Sequence, residues 1–229
     1  MIPAWLRYEA RALGVMALVV PVLVALLCGG LAGLMALAHA RAGPIATLLS
    51  GSLEIVFPLA AGIVAASVVG HEAALEVQLT LPTPYRATVL RRLVLLLGWT
   101  ACVALTMVGA LAALGLWRVR QPFAVGQFVW LAPLLWFIAT GAVAALLLHS
   151  RTASGGVLAG MWVFEIAFGY LMVGRDWLRP WFLFASTYTP GADYWLLNRI
   201  VLTATALLLG GVAWVLLGRT EAHLLGGEE

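Results

Sequence analysis

The chain has 229 residues, is 63% hydrophobic and only 10% charged, and carries a formal net charge of +3 at pH 7 with a mean hydropathy of +1.03. Polar side chains are too few to cover a water-soluble globule of this size, so the composition excludes that class and indicates an integral membrane protein. All basic residues are arginines scattered along the chain, which suits lipid head groups and gives no nucleic-acid footprint.

The first twelve residues combine aromatic and charged side chains in a helical pattern. Trp5 and Tyr8 fall on one helical face, whereas Arg7 and Arg11 fall on others. Such a helix lies along a membrane surface and does not cross it. The pattern therefore predicts an interfacial helix over residues 1–12.

Apolar windows of about twenty residues, the length needed to cross a hydrocarbon core as a helix, predict six membrane spans. They are placed at residues 13–38, 53–71, 93–117, 128–149, 155–174 and 200–218. The predicted fold is thus a single all-α membrane domain over residues 1–229, with the bundle at 13–218 and a tail at 219–229.

An even number of spans places both termini on one side of the membrane. Arg86, Arg91 and Arg92 crowd one short loop, and Arg7 and Arg11 flank the first span. Because arginine-rich short loops stay in the cytoplasm, we expect both termini there and a multi-pass protein of the inner (plasma) membrane.

The loop after the second span, "GHEAALEVQLTLPTPYR", begins like a zinc-peptidase motif. His71 and Glu72 match its first half, but the position where the second histidine belongs is Leu75. The second metal ligand is missing, so zinc hydrolysis is not expected.

The same loop has the pattern of a short surface helix. Glu72 and Glu76 are spaced i, i+4, Pro82 and Pro84 end the helix, and Arg86 begins the next one. An element with acidic and basic ends is suited to binding by a partner, although a plain solvated loop is the alternative.

Two glutamates lie within predicted spans. Glu165 is placed mid-span, where an ionised carboxylate is costly unless it is paired, protonated or facing water. We expect it to face the bundle interior, on a translocation path or at a dimer interface, or to hydrogen-bond a neighbouring helix. Glu54 lies nearer the outer end of its span, where it meets water or an outer arginine, and is the weaker candidate for the path.

Between the fifth and sixth predicted spans lies "GRDWLRPWFLFASTYTPGADYWLLNR", which is too interrupted by prolines and aspartates to cross a membrane. It predicts an outer, re-entrant pair of short helices or, alternatively, an ordinary aromatic belt at head-group depth. Upstream, "RTASGG" offers Ser154, which is better explained as a helix cap than as a protease nucleophile.

"WLRYEARAL" near the N-terminus, the later stretch "GHEAALEVQLTLPTPYRATVLRRLVLL", six spans and an aromatic insertion before the last span together resemble the permease subunits of type-2 ABC transporters. The resemblance implies that residues 72–86 form a cytoplasmic coupling helix that docks into a separate ATPase, with Glu72 and Glu76 near its start and Pro82, Pro84 and Arg86 at its turn. It also implies two ATPase copies that bind ATP and magnesium, and a second permease subunit as homo- or heterodimer.

The sequence contains no lysine, so it cannot form the phosphate-binding P-loop of an ATPase. We therefore expect a non-catalytic transport subunit without a cofactor of its own, exporting an amphipathic or lipid-like substrate by alternating access. The alternatives are an intramembrane hydrolase and a non-catalytic membrane scaffold or assembly factor.

Overall fold

The computed structural model describes residues 14–70 and 84–225, with side chains as far as residue 219. Every regular element in these ranges is helical. The elements are α1 (Val15–Leu37), α2 (Ala42–Val69), α3 (Tyr85–Ala113), α4 (Phe123–Gly126), α5 (Phe128–Leu148), α6 (Arg151–Ala167), α7 (Gly169–Gly174), a 3-10 turn (Arg179–Trp181), α8 (Ala185–Tyr188) and α9 (Trp195–Leu225).

Five helical stretches of the described residues are long and apolar enough to cross a membrane: α1, α2, α3, α4 with α5, and α9 as far as Arg219. A multi-pass, all-helical membrane protein is therefore confirmed. Both the interfacial helix predicted at 1–12 and most of the loop predicted to bind a partner lie outside the described residues. The roles assigned to the residues of these two stretches therefore stay predictions: Trp5, Arg7, Tyr8, Arg11, Glu72, Glu76 and Pro82.

Several helices are longer than the hydropathy pattern predicted. Helix α2 begins at Ala42 and not at 53, because the hydroxyls that lower the hydropathy of its first turns bond to its own backbone. Ser50 Oγ donates to the Ala46 carbonyl at 2.7 Å and Ser52 Oγ to the Leu49 carbonyl at 2.8 Å. At the other end of the chain, α9 continues to Leu225, so the predicted tail at 219–229 starts as helix.

The predicted fifth span, 155–174, is divided between two helices. Helix α6 has 17 residues and α7 has 6, with a break at Phe168. The break brings Gly169 against Tyr188, since a Cβ at Gly169 would stand 2.7 Å from the tyrosine ring. A continuous helix here was predicted because periodicity does not register a contact with a residue nineteen positions away.

Helix α6 runs antiparallel to α2. Arg151 Nε, at the start of α6, donates to the Gly70 carbonyl just after α2 at 3.0 Å. Further along α6, Trp162 Nε1 donates to the Ile55 carbonyl of α2 at 3.0 Å. The chain therefore leaves α6 and α7 at the opposite end of the bundle from the 70–84 loop, at an end called here the 175–194 end.

Helix α2 lies at the centre of the bundle. In its most apolar window 67% of residues are buried, against 17% for α1 and 22% for α3 and for α9. Its closest neighbour is α5, because a Cβ on Gly62 would stand 2.8 Å from the Phe137 carbonyl oxygen. Small residues thus let the two backbones approach, which favours packing between helices in a membrane.

Candidate functional site: a buried ionic cluster at the 175–194 end

Residues 175–194 fold back against the bundle instead of crossing the membrane. The segment holds the 3-10 turn and α8, and the chain between them is buried from Phe182 to Ala185. Buried backbone in a membrane protein needs hydrogen-bond partners from neighbouring helices. The polar side chains of α2, α6 and α9 supply them.

Glu54 of α2 is the centre of this cluster and is fully buried. Its Oε1 accepts a hydrogen bond from the Ser186 backbone N–H at 2.9 Å. Its Oε2 accepts two from Thr187, from the backbone N–H at 2.7 Å and from the side-chain hydroxyl at 2.6 Å. The carboxylate therefore holds the amides at the start of α8, a favourable place for negative charge.

Arg199 of α9 neutralises Glu54 and is itself only 1% exposed. Its Nη2 forms an ion pair with Oε1 of Glu54 and also donates to Ser186 Oγ at 2.8 Å. Its Nη1 donates to the Leu183 carbonyl at 3.2 Å. Both ions are thus paired and hydrogen-bonded, the condition under which buried charges are tolerated.

Arg199 was not predicted as a site residue, since in the sequence it is one of several scattered arginines, and Glu54 was ranked below Glu165. The available signal was an arginine near the start of the last apolar stretch together with a glutamate near the outer end of the second span. Charges inside a membrane protein pair with one another, so these two residues were candidates for an ion pair.

Glu165 of α6 holds the other side of the same segment. It is 7% exposed, and its Oε2 accepts a hydrogen bond from the Leu183 backbone N–H at 3.1 Å. Tyr188 of α8 donates its hydroxyl to the Ile166 carbonyl at 3.0 Å. Both predicted intramembrane glutamates therefore contact the 175–194 segment. Glu165 binds the Leu183 amide, and Glu54 binds those of Ser186 and Thr187.

Asn198 of α9 adds a third anchor. Its Nδ2 donates to the carbonyls of Arg179 and Phe182 at 2.8 Å each and to that of Pro180 at 3.2 Å. The amide side chain therefore ties the 3-10 turn and the following Phe182 to α9. Together with Glu54, Arg199 and Glu165 it makes the ionic cluster a structural clamp on the segment.

Two of the residues predicted to contact an ATPase are described, and both lie at the 70–84 end. Pro84 precedes the first residue of α3, and Arg86 places its guanidinium 5.1 Å from the ring centroid of Trp214 in α9. The sequence prediction that Ser154 caps α6 is wrong. Ser150 is the cap, accepting a bond from the Ala153 N–H at 3.2 Å, and Ser154 is buried inside the helix.

No protein-family model, curated protein or solved structure matches this chain. The fold and the site define a class, a multi-pass helical membrane protein whose 175–194 segment is clamped by buried charges.

Proposed function

We propose that the protein is the membrane subunit of an ATP-driven exporter, a six-pass permease powered by a separate cytoplasmic ATPase. The observation that carries the proposal is the clamped 175–194 segment, a folded and non-spanning insertion immediately before the last membrane helix. Such an insertion is what the resemblance to type-2 ABC permeases leads one to expect at this point of the chain.

The proposed sixth crossing is made by α6 and α7 together. At about 1.5 Å per residue, the 17 residues of α6 extend about 25 Å and the 6 of α7 about 9 Å, against a hydrocarbon core of about 30 Å. The contacts of Arg151 with Gly70 and of Trp162 with Ile55 support this crossing, because they align α6 with a central spanning helix.

In this proposal α2 carries motion between the two ends of the bundle. Its last residue, Val69, adjoins the loop that would dock into the ATPase, and Glu54 of the same helix binds the 175–194 segment. Closure of an ATPase pair would shift the loop, and a packed helix transmits such a shift along its length. The result would be alternating access for an amphipathic or lipid-like cargo.

The proposed energy source is a second polypeptide, since a chain without lysine lacks the P-loop. The test is purification of the tagged full-length protein from its native host, followed by an assay of copurifying ATPase activity. The variant is Glu72→Ala with Arg86→Ala, and the matched control is Arg175→Ala, an exposed arginine at the opposite end.

Copurification with the wild type and the control, together with loss of association or stimulation in the double variant, supports the proposal. If no ATPase copurifies with the wild type, the exporter proposal fails and the scaffold alternative gains. Equal association of the double variant and the wild type would exclude the loop as the docking element.

The six-pass topology has its own test. In a background with Cys28→Ser and Cys102→Ser, an impermeant maleimide applied to intact cells should label Trp177→Cys but not Glu76→Cys. Trp177 is 72% exposed, so its position is accessible to the reagent. Labelling of both positions, or of Glu76→Cys alone, would contradict the proposed arrangement.

A further inference from the structure

A cavity of about 360 Å³ with both polar and apolar walls lies beside the ionic cluster at the 175–194 end. Its walls come from the first turns of α2, the connection between α3 and α4, the start of α5, the chain around α8 and the first residue of α9. This volume is at the lower end of the range for small-molecule sites. The hydrogen bonds of Glu54, Glu165 and Asn198 that hold the 175–194 segment do not depend on this cavity.

Two arginines of the α3–α4 connection line this cavity. A guanidinium nitrogen of Arg118 lies 3.7 Å from the place that a Cβ on Gly43 would take. The side chain of Arg120 lies against Gly191 in the same way, at 3.1 Å. Gly191 has a φ of +80°, which favours glycine, and the missing side chain leaves room for the guanidinium.

Arg118 and Arg120 are both exposed to solvent. Among the described residues neither forms an ion pair or a hydrogen bond. Glu54, the acidic residue in the cavity wall, is already paired with Arg199. The cavity wall therefore carries two positive charges that have no acidic partner among the described residues.

The hydroxyl of Ser186 adds a neutral donor to the wall. Its oxygen accepts hydrogen bonds from Trp195 Nε1 and from Arg199 Nη2, both at 2.8 Å. A serine oxygen has two lone pairs, so both acceptor positions are filled and the hydroxyl hydrogen is left to donate. The amide of Gln121 provides a further donor in the same wall.

We propose that this cavity binds a phosphate group, carried either by the head group of an anionic phospholipid or by a soluble phosphate ester. Two arginine forks suit a tetrahedral oxyanion, which has several oxygens to accept their parallel hydrogen bonds. The walls consist of helix ends and connections, the parts of a helical bundle that a lipid head group can reach. The site lies within one chain and needs no ATPase.

The test uses delipidated full-length protein with two probes. Native mass spectrometry measures retention of phosphatidylglycerol against phosphatidylcholine, and isothermal titration calorimetry measures binding of glycerol 3-phosphate. Replacing both arginines, Arg118→Gln with Arg120→Gln, should weaken binding of the effective probe by at least about tenfold, since hydrogen bonds to charged groups are the strong ones. Added salt should weaken it as well.

The matched control is Arg175→Gln, which removes an exposed arginine of the same end that does not line the cavity. A second variant, Thr47→Trp, fills the cavity while keeping both arginines and serves if the double variant does not fold. Thr47→Trp should also weaken binding of the effective probe by about tenfold, the same threshold as that set for the double arginine variant.

Selective retention of phosphatidylglycerol identifies a lipid as the source of the phosphate, and binding of glycerol 3-phosphate identifies a soluble ester. The proposal is overturned if neither probe binds the wild type, or if the folded variants bind as the wild type does. These outcomes are independent of whether an ATPase copurifies, so the failure of one proposal is distinguishable from the failure of the other.

Discussion

Replacing Glu54 by alanine should be the most destabilising single change at the 175–194 end. The substitution leaves Arg199 buried without its counter-ion, with only the Leu183 carbonyl and Ser186 Oγ as described acceptors. It also removes the acceptor of the Ser186 backbone amide, whereas the Thr187 amide keeps the Phe184 carbonyl at 3.2 Å. Every group that Glu54 binds thus loses a charged partner in a place with little access to water.

The magnitude follows from these contacts. Removing one partner of a buried ion pair costs about 3–5 kcal/mol. The Ser186 amide, left without an acceptor, adds roughly 1 kcal/mol, which places Glu54→Ala near the top of that range, about 5 kcal/mol. Arg199→Met should cost less, about 3 kcal/mol, because Glu54 keeps three hydrogen-bond donors.

The variant that combines Glu54→Ala with Arg199→Met decides whether the two residues act as a pair. With both ions gone no uncompensated charge remains, so the loss should not exceed that of Glu54→Ala alone. The free energy of unfolding is measured by SDS titration in mixed micelles, with Asp176→Ala as the control for an exposed ion pair, expected to change nothing measurable. Additivity of the two single losses within about 0.5 kcal/mol would refute the argument.

Three further predictions use the same unfolding measurement. Glu165→Leu should cost about 1–2 kcal/mol, less than Glu54→Ala, because its described hydrogen bond is a single one from Leu183; an equal loss would contradict this ranking. Gly62→Ala should cost about 1–3 kcal/mol, since its Cβ would overlap the backbone of α5, whereas Gly160→Ala, with open space around it, should cost nothing; equal effects would disprove the close packing. Asn198→Leu should cost about 2 kcal/mol and increase protease cleavage within 175–194; unchanged cleavage would show that Asn198 does not hold the 3-10 turn.

The sequence predicted the existence of the spanning helices better than it predicted where they begin, end or break. The apolar windows identified the spanning helices, because a hydrocarbon core requires long apolar stretches. They misplaced the start of α2, where serine hydroxyls bond to the helix backbone and lower the hydropathy without ending the helix. They also missed the break at Phe168, which depends on the packing of Tyr188 against Gly169.

The candidate site was predictable only in part. Glu54 and Glu165 were recognisable because ionisable residues within apolar stretches are rare and costly. Their backbone partners, Leu183, Ser186 and Thr187, were not, since these come from a segment without helical periodicity. The cavity arginines, Arg118 and Arg120, had no signal beyond their charge, because their position depends on two glycines from distant parts of the chain.

The sequence by itself determined that this is a helical membrane protein and that the sequence contains no P-loop. Both conclusions depend on composition and local periodicity, which are properties of the chain alone. Tertiary structure decided what the charges do. Glu54 and Arg199 are 145 positions apart, and only the packing of the bundle, in which α2 and α9 both begin at the 175–194 end, brings them to one depth. At that depth burial makes an unpaired charge costly, so the pair forms and the 175–194 segment is held between the helices.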